Sequence, residues 1–202
     1  MKKYELTDET KVIGERTLHR IKALKDFTIR DRVIKEGDIG GWVESEENLS
    51  QDGLCWIFDE GRVFERARVS GNATIAGNAK IFGDSLVLRN AAVFANAVIC
   101  DNAIVGDNAK VYGKAIIGGD AVVCENAMAF DNALVGEDAS VSNNAKVCGK
   151  AIIGGYASVF GDALVCENAT VYENAWVYGK AIIGGDVQVD GNVNVCGNTI
   201  IN

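Results

Sequence analysis

The sequence predicts an all-β protein, namely a single-stranded left-handed parallel β-helix of about eight three-sided coils with a small N-terminal β cap. Three observations support this prediction. A six-residue pattern runs without interruption from Val63 to Ile201, residues that favour turns punctuate it, and the 202 residues include no proline. Proline would remove a backbone N–H that the stacked strands of such a coil need as a hydrogen-bond donor.

The repeated unit has the form Val-x-x-Asn-Ala-x. Every sixth residue from Val63 is Val or Ile except Ala129, and nearly every sixth residue from Ala67 is Ala. Alternate residues of a strand share one side, so the Ala and the Val two positions later both point inward. One small and one branched side chain suit a narrow, tightly packed interior. Three units then close one coil.

The corners of the coil are predicted between the strands, at pairs such as Gly71-Asn72 and Gly191-Asn192. Gly and Asn both tolerate positive φ, which a sharp corner requires. Acidic residues are also frequent there, and we expect them to be solvated and to serve solubility rather than acid–base chemistry. These residues are Asp101, Asp107, Glu125, Asp131, Glu137, Glu167 and Glu173.

Residues 1–54 do not follow the six-residue pattern and are predicted to form the N-terminal cap, with the β-helix over 55–202. An uncovered end of a parallel coil would attract other strands, so a cap is expected there. Strands are expected near residues 4–7, 18–24 and 32–38. The residues predicted to plug the first coil are Trp42, Leu49, Leu54 and Trp56.

Composition limits the partners and the compartment. The formal net charge is −8, which disfavours nucleic acid and anionic membranes as partners. The first residues lack the apolar segment of a signal peptide, and no apolar run is long enough to span a bilayer, so a cytoplasmic location is expected. The six cysteines have neither metal nor disulfide spacing and are predicted to be free thiols. Cys55 is expected in the core, and Cys148 and Cys166 are expected to stack one coil apart.

The residues ahead of the repeat resemble a known family. The segments Gly40-Gly41-Trp42-Val43, Asn48-Leu49-Ser50-Gln51, Gly53 and Cys55-Trp56-Ile57-Phe58-Asp59-Glu60 are similar to the corresponding part of YdcK-type proteins. The similarity covers about residues 4–66. YdcK-type proteins are bacterial and prophage-encoded hexapeptide-repeat β-helices that are often labelled acetyltransferases. The resemblance implies the same fold, a phage or prophage relation, and acetyl-CoA as the cofactor if the chain is an acetyltransferase.

Two outward columns of apolar residues are predicted as contact surfaces, because residues eighteen apart should lie above one another. The first column contains Val98, Ile116, Leu134 and Ile152. The second contains Phe58, Phe94, Tyr112 and Phe130. We expect a homo-oligomer, a trimer or a dimer, that packs through such a face. The alternative is that the cap or a neighbouring loop folds over one of the two columns.

Neither a metal site nor a catalytic site is predicted. The phrase Gly-Lys-Ala-Ile-Ile-Gly-Gly occurs three times and places Lys114 and Lys150 on one edge, where solubility explains them better than anion binding. Hexapeptide acyltransferases need a base, usually His, and loops that leave the coil. The one histidine, His19, lies in the cap, and no insertion interrupts the coil.

The favoured function is therefore a non-catalytic rigid scaffold or binding protein that presents flat faces for self-association or for a protein or small-molecule partner. The alternative is a hexapeptide-repeat acyltransferase that uses acetyl-CoA. A second alternative is an acidic rod that mimics duplex DNA, which requires a continuous carboxylate stripe. The acidic positions are expected to scatter over several columns, which weakens that alternative.

Overall fold

The computed structural model describes residues 2–202 and confirms the predicted all-β fold of parallel stacked coils. Three parallel sheets form the sides of the coil, called face 1, face 2 and face 3 in the order in which the chain meets them. The coil has about nine turns rather than eight, because residues 39–57 add a first turn that does not carry the repeat. The left-handed sense of the winding stays a prediction from the repeat.

The N-terminal segment contains two antiparallel hairpins and the first strand of the coil. The strands are β1 (Tyr4–Ile13), β2 (Arg16–Ala23), β3 (Phe27–Ile29), β4 (Arg32–Ile34) and β5 (Ile39–Val43). The first hairpin extends face 1, because β2 pairs antiparallel with β5. The second hairpin pairs only with itself. The expected strands near 4–7, 18–24 and 32–38 are present with different lengths, and β3 was not predicted.

The remaining strands have two residues each, and a one-turn 3-10 helix spans Glu46–Asn48. Face 1 continues with β7 (Arg62–Val63), β10 (Lys80–Ile81), β13 (Val98–Ile99), β16 (Ile116–Ile117), β19 (Leu134–Val135), β22 (Ile152–Ile153), β25 (Thr170–Val171) and β28 (Gln188–Val189). Face 2 consists of β8 (Arg68–Val69), β11 (Leu86–Val87), β14 (Ile104–Val105), β17 (Val122–Val123), β20 (Ser140–Val141), β23 (Ser158–Val159), β26 (Trp176–Val177) and β29 (Asn194–Val195). Face 3 consists of β6 (Trp56–Ile57), β9 (Thr74–Ile75), β12 (Ala92–Val93), β15 (Lys110–Val111), β18 (Met128–Ala129), β21 (Lys146–Val147), β24 (Leu164–Val165), β27 (Ile182–Ile183) and β30 (Ile200–Ile201).

The parallel pairing begins inside the segment predicted as the cap. Val43 lies opposite Val63, and Leu49 forms a bridge with Val69. Residues 39–54 therefore belong to the first turn of the coil as well as to the N-terminal segment, and the division into domains at residue 54 stays a prediction. Leu49 lies in the core as expected, whereas the prediction for Leu54 is wrong, because its side chain is 38% exposed.

The repeat fills the interior as predicted. The Val and Ile of the unit and the Ala two residues before them are buried in nearly every coil, as Ala115 and Ile117 illustrate. Each coil donates its backbone N–H groups to the next one, for example from Ile116 to the carbonyl of Ala133 at 2.9 Å. Burial of each Val or Ile contributes about 1.5–3 kcal/mol to stability. The regular stacking follows because every coil offers the next an identical surface.

The asparagine of the repeated unit forms a ladder of side-chain hydrogen bonds along one edge of the coil. The Nδ2 group of Asn90 donates to Asn108 Oδ1 at 3.3 Å, and that of Asn126 donates to Asn144 Oδ1 at 3.2 Å. This ladder of side-chain amides continues from Asn72 to Asp162 along the edge between faces 2 and 3. A side chain with both a donor and an acceptor repeats such a ladder without leaving either group unpaired.

Side chains of the N-terminal segment cover the open end of the coil. Tyr4 is buried and its hydroxyl donates to the carbonyl of Leu49 at 2.6 Å. The ring of Trp56 is buried against Phe27, with centroids 5.4 Å apart. Trp42 is buried on the outer side of face 1, where the guanidinium of Arg20 lies 4.3 Å from its ring. Both tryptophans thus pack between the N-terminal hairpins and the outer surface of the first turn, rather than inside the first coil as predicted.

Candidate functional site

The first predicted column forms a continuous surface on face 1. Each two-residue strand of a face forms one rung, and neighbouring coils place their rungs side by side in register. Consecutive rungs of face 1 carry Val98, Ile116, Leu134 and Ile152, and we call these four residues the apolar strip. Ile116 is 40% exposed, Leu134 37% and Ile152 38%, which is unusual for three adjacent aliphatic side chains. Lys80 precedes the strip and Thr170 follows it in the same column, so polar rungs bound it at both ends.

A lane of small residues lies beside the apolar strip. Gly118, Gly136 and Gly154 each follow the inward residue of their rung and add no side chain to the surface. The lane ends at Tyr172, whose ring lies over Gly154 and whose hydroxyl donates to the carboxylate of Glu137. The lane is open at Gly136, whereas Tyr172 covers Gly154, and Cys100 and Asp101 lie beside Gly118.

The second predicted column is a stack of rings on face 3. The rings of Phe94 and Tyr112 are nearly parallel with centroids 4.9 Å apart, and those of Tyr112 and Phe130 are 5.0 Å apart. Partial burial raises the pKa of Tyr112. Phe58 belongs to the same column, but Ala76 separates it from Phe94. The aromatic column is thus interrupted at a single rung.

The sequence did not predict the groove that crosses this interruption. The β3–β4 hairpin leaves the N-terminal segment and lies along face 3, where the Arg30 guanidinium donates to the carbonyl of Asn90. A groove of about 540 Å³ separates the hairpin from the face. Such a volume lies in the range of sites that bind small molecules. The coil itself has no insertion, as predicted, yet the hairpin provides the overhang that an insertion would have supplied.

The side chains that line the floor of the groove are small, whereas those beside it and on the hairpin are aromatic or charged. Ala76, Gly77, Ala92 and Ala95 line the floor, and Phe58 and Phe94 stand beside them. On the hairpin side, the guanidinium of Arg32 lies 4.7 Å from the Phe58 ring centroid. Asp31 and Asp59 also line the groove, and the Asp59 carboxylate accepts the backbone N–H of Gly77 at 3.1 Å. The one sequence signal of the groove was an alanine inside an aromatic column.

The acidic corner residues have a structural function that the solubility interpretation missed. Asp101 adopts φ 56° and its carboxylate accepts the backbone N–H of Gly119, one coil further on, at 2.9 Å. Glu137 binds the N–H of Gly155 in the same way at 2.6 Å. These N–H groups belong to corner residues with positive φ, and the side chains of the preceding coil supply their acceptors. The carboxylates are exposed, as predicted, and they also hold the corners together.

The acidic corner residues are distributed over all three edges, as expected, but the edges differ in the number they carry. The edge between faces 1 and 2 collects seven of them against one basic residue, Arg66. They are Glu65, Asp84, Asp101, Asp120, Glu137, Asp138 and Glu173. The edge between faces 3 and 1 carries the exposed Lys114 and Lys150 together with five acidic residues, which are Asp59, Glu60, Asp131, Glu167 and Asp186. Both edges that flank the apolar strip are thus acidic along their full length, but the two lysines lie beside the strip only on the edge between faces 3 and 1.

The remaining candidates give no site for chemistry. His19 is half-buried in β2, and its Nδ1 lies 3.2 Å from the carbonyl of Thr7, away from the groove. All six thiols are free, and Cys55 is buried in the core as predicted, 3.2 Å from the Nζ of Lys3. Cys148 and Cys166 lie on adjacent rungs, and burial raises the pKa of Cys148 to about 11.

Among residues 2–202, no three His, Cys, Asp or Glu side chains gather in a way that would hold a metal ion. Within the same range, none of the helical structure is long and apolar enough to cross a membrane.

Parallel two-residue strands, repeated corners and a buried Ala-Val core define a β-solenoid built on a hexapeptide repeat. Residues 67–83 match the family model of the YdcK β-solenoid repeat. Over 71 residues the chain is 31% identical to "Uncharacterized acetyltransferase YdcK" of Escherichia coli (strain K12), an alignment that includes 31% of this chain and 21% of that protein. The two matches confirm the resemblance to YdcK-type proteins, although the chain spans only about a fifth of the relative's length.

Proposed function

We propose that the chain is a non-catalytic, rigid β-solenoid scaffold whose apolar strip packs against a second copy of the chain. The observation that carries the proposal is the exposure of Ile116, Leu134 and Ile152 on consecutive rungs of a flat face. Apolar area removed from water contributes about 25 cal/mol per Å². A second copy has the same rung spacing and matches the strip rung for rung.

The glycine lane supports close contact between two such faces. Because Gly136 carries no side chain and has open space around it, a side chain of a second copy has room beside Leu134. An isologous two-fold contact uses the same surface on both copies, so strip and lane serve each other as ridge and channel.

The charge difference between the two edges selects the direction of packing. If the coils run parallel, the acidic edge with Asp120, Glu137 and Asp138 faces the Lys114 and Lys150 edge of the second copy. If they run antiparallel, the two acidic edges face each other and repel. The proposal is therefore a parallel arrangement, with Leu134 of one copy near Leu134 of the other.

Light scattering on two matched variants tests the proposal. The wild-type chain is expected at about twice its 21.5 kDa, and Ile116→Lys, which places a charge in the strip, is expected at the mass of one chain. Leu164→Lys adds the same charge at an outward position of face 3 and should leave the mass unchanged. A wild-type monomer at every concentration, or equal masses for wild type and Ile116→Lys, would exclude the proposed contact.

The name of the relative supports acyl transfer as a second candidate. That protein is called an acetyltransferase, and the groove on face 3 has room for part of a cofactor. Millimolar acetyl-CoA should then raise the melting temperature, since a ligand that binds only the folded chain stabilises it. An unchanged melting temperature removes this candidate.

The acidic edge supports the DNA-mimic alternative more than the sequence did. Glu65, Asp101, Glu137 and Glu173 recur on every second coil of one edge. Competition with duplex DNA for a DNA-binding enzyme such as gyrase would reveal mimicry, and no effect would end this alternative.

The proposal places the scaffold in the cytoplasm, where its six free thiols would stay reduced. The phage or prophage relation implied by the resemblance stays a prediction.

A further inference from the structure

The groove beneath the β3–β4 hairpin crosses the one interruption of the aromatic column on face 3. Rings on adjacent rungs of this column lie 4.9 to 5.0 Å apart, and three of them, Phe94, Tyr112 and Phe130, stack almost parallel. Phe58 and Phe94 are two rungs apart, with Ala76 between them. Since coils are spaced by about 4.8 Å, the gap between these two rings is about 9.6 Å.

A planar ring placed over Ala76 would fill that gap. Its centroid would lie about 4.8 Å from each neighbouring ring, inside the range of about 4.5–7 Å that aromatic pairs prefer. Ala95 also lines the groove with no more than a methyl group, whereas Ala92 is only 5% exposed and is therefore covered. The groove volume of about 540 Å³ is also sufficient for a bicyclic molecule.

The hairpin contributes two positive charges and one negative charge to the lining of the groove. Arg32 lies against the Phe58 ring, and Arg30 has donors beyond the one bound to the Asn90 carbonyl, since a guanidinium carries five N–H groups. Asp59, the acidic residue on the floor side, already accepts the Gly77 N–H. Asp31 at the hairpin tip lies between the two arginines in sequence and is exposed.

From these contacts we propose that the groove binds a small planar aromatic acid, whose ring occupies the missing rung over Ala76 and whose carboxylate pairs with Arg32 and Arg30. The binding site lies on face 3, away from the apolar strip on face 1, and does not depend on self-association.

Calorimetric titration with 2-naphthoate, on the full chain, tests the proposal. Its neutral analogue 2-naphthamide tests the charge requirement, and cyclohexanecarboxylate tests the requirement for a flat ring. We expect 2-naphthoate to bind, naphthamide to bind about tenfold more weakly, and cyclohexanecarboxylate to show no saturation, because the acid and the ring each contribute.

Two variants locate the site. Ala76→Phe completes the column with a ring of the chain's own and should abolish binding of 2-naphthoate while the melting temperature stays the same or rises. Ser142→Phe is the matched control, because it adds the same ring beside Phe160 in the equivalent column of face 2 and should bind as wild type. Arg32→Gln should weaken 2-naphthoate about tenfold and leave naphthamide unchanged.

Three results would overturn the inference. They are no binding of 2-naphthoate at millimolar concentration, equal binding by wild type and Ala76→Phe, and cyclohexanecarboxylate binding as tightly as 2-naphthoate. Should Ala76→Phe unfold, the Arg32→Gln comparison of the acid and the amide decides, and an equal loss for both ligands contradicts the proposed pairing. Light scattering of Ala76→Phe separates this site from self-association, since its mass should equal that of wild type.

Discussion

Individual side chains join the N-terminal segment to the coil. The Glu60 carboxylate accepts hydrogen bonds from three side chains of that segment. It accepts Lys11 Nζ at 2.5 Å, Arg20 at 2.8 Å and Trp42 Nε1 at 3.2 Å. The hydrogen bond from Lys11, helped by those of Trp42 and the charge of Arg20, lowers the pKa of Glu60. A lowered pKa in the folded state means that folding favours the ionised form of this carboxyl.

The pH dependence of stability should report this cluster. The stabilisation by Glu60 is complete above its unfolded pKa of about 4.3 and disappears as the pH falls through the lower folded pKa. The melting temperature of wild type should therefore decrease more between pH 7 and pH 3 than that of Glu60→Gln. Glu15→Gln, at an exposed turn between β1 and β2, serves as the control and should follow wild type. Parallel curves for all three proteins would contradict the assignment.

Residue types predicted the corners, but only the structure showed how the corners are held. Asp101 and Glu137 were recognised as corner residues from their place in the unit. Their bonds to Gly119 and Gly155 join residues eighteen apart, one coil further along the edge. That acceptor function needs the stacking geometry, which a list of acidic positions does not contain.

At the scale of single strands, the repeat predicted the core position of each rung because its period is constant. Ala129 is the exception in the column of Val and Ile, and it is completely buried between Val111 and Val147. Ala127, two residues earlier, occupies the small position of the same unit.

Two substitutions with the same added volume should have opposite effects. Ala129→Val restores the size found at the equivalent position of the other coils and should stabilise the fold by about 1 kcal/mol. Ala127→Val overfills the small position and should destabilise it by about 1–3 kcal/mol. Urea unfolding of both variants measures the difference. If both lose stability equally, the two positions are not distinct in size.

The N-terminal elements were predicted less well because no period constrains them. The three expected strands exist, yet the β3–β4 hairpin and its position over face 3 were missed. That position depends on contacts such as Arg30 with Asn90, sixty residues apart, and on Phe27 against Trp56. The groove was missed for the same reason, since its two sides come from distant parts of the chain.

For the whole molecule, the distribution of charge matters more than its sum. The proposed parallel contact places Lys114 and Lys150 against the acidic edge of a second copy. Lys110 and Lys146 are also exposed and lie two coils apart, but they belong to face 3. The two pairs thus allow the same change of charge to be made inside and outside the proposed contact.

Replacement of either pair by glutamate changes the net charge from −8 to −12, since each substitution removes one positive charge and adds one negative charge. Lys114→Glu/Lys150→Glu should weaken self-association about tenfold or more, because the edges then repel. Lys110→Glu/Lys146→Glu should have a much smaller effect. Sedimentation equilibrium measures both constants. Equal weakening would show that net charge, and not the edge, controls association.

The outward columns were predicted from the eighteen-residue spacing, and the structure places the apolar strip in register on face 1. The sequence did not predict what binds the strip, because the repeat period shows which residues are exposed but not which surface they contact.

Photo-crosslinking of the purified chain through benzoylphenylalanine at position 134 tests the central claim most directly. If the apolar strip packs parallel against a second copy, illumination should give a covalent dimer of about 43 kDa, twice 21.5 kDa, with the link near Leu134 of the second copy. The same group at position 164, on face 3, should give almost none. Absence of a dimer from position 134, or equal yields from both positions, would contradict the account.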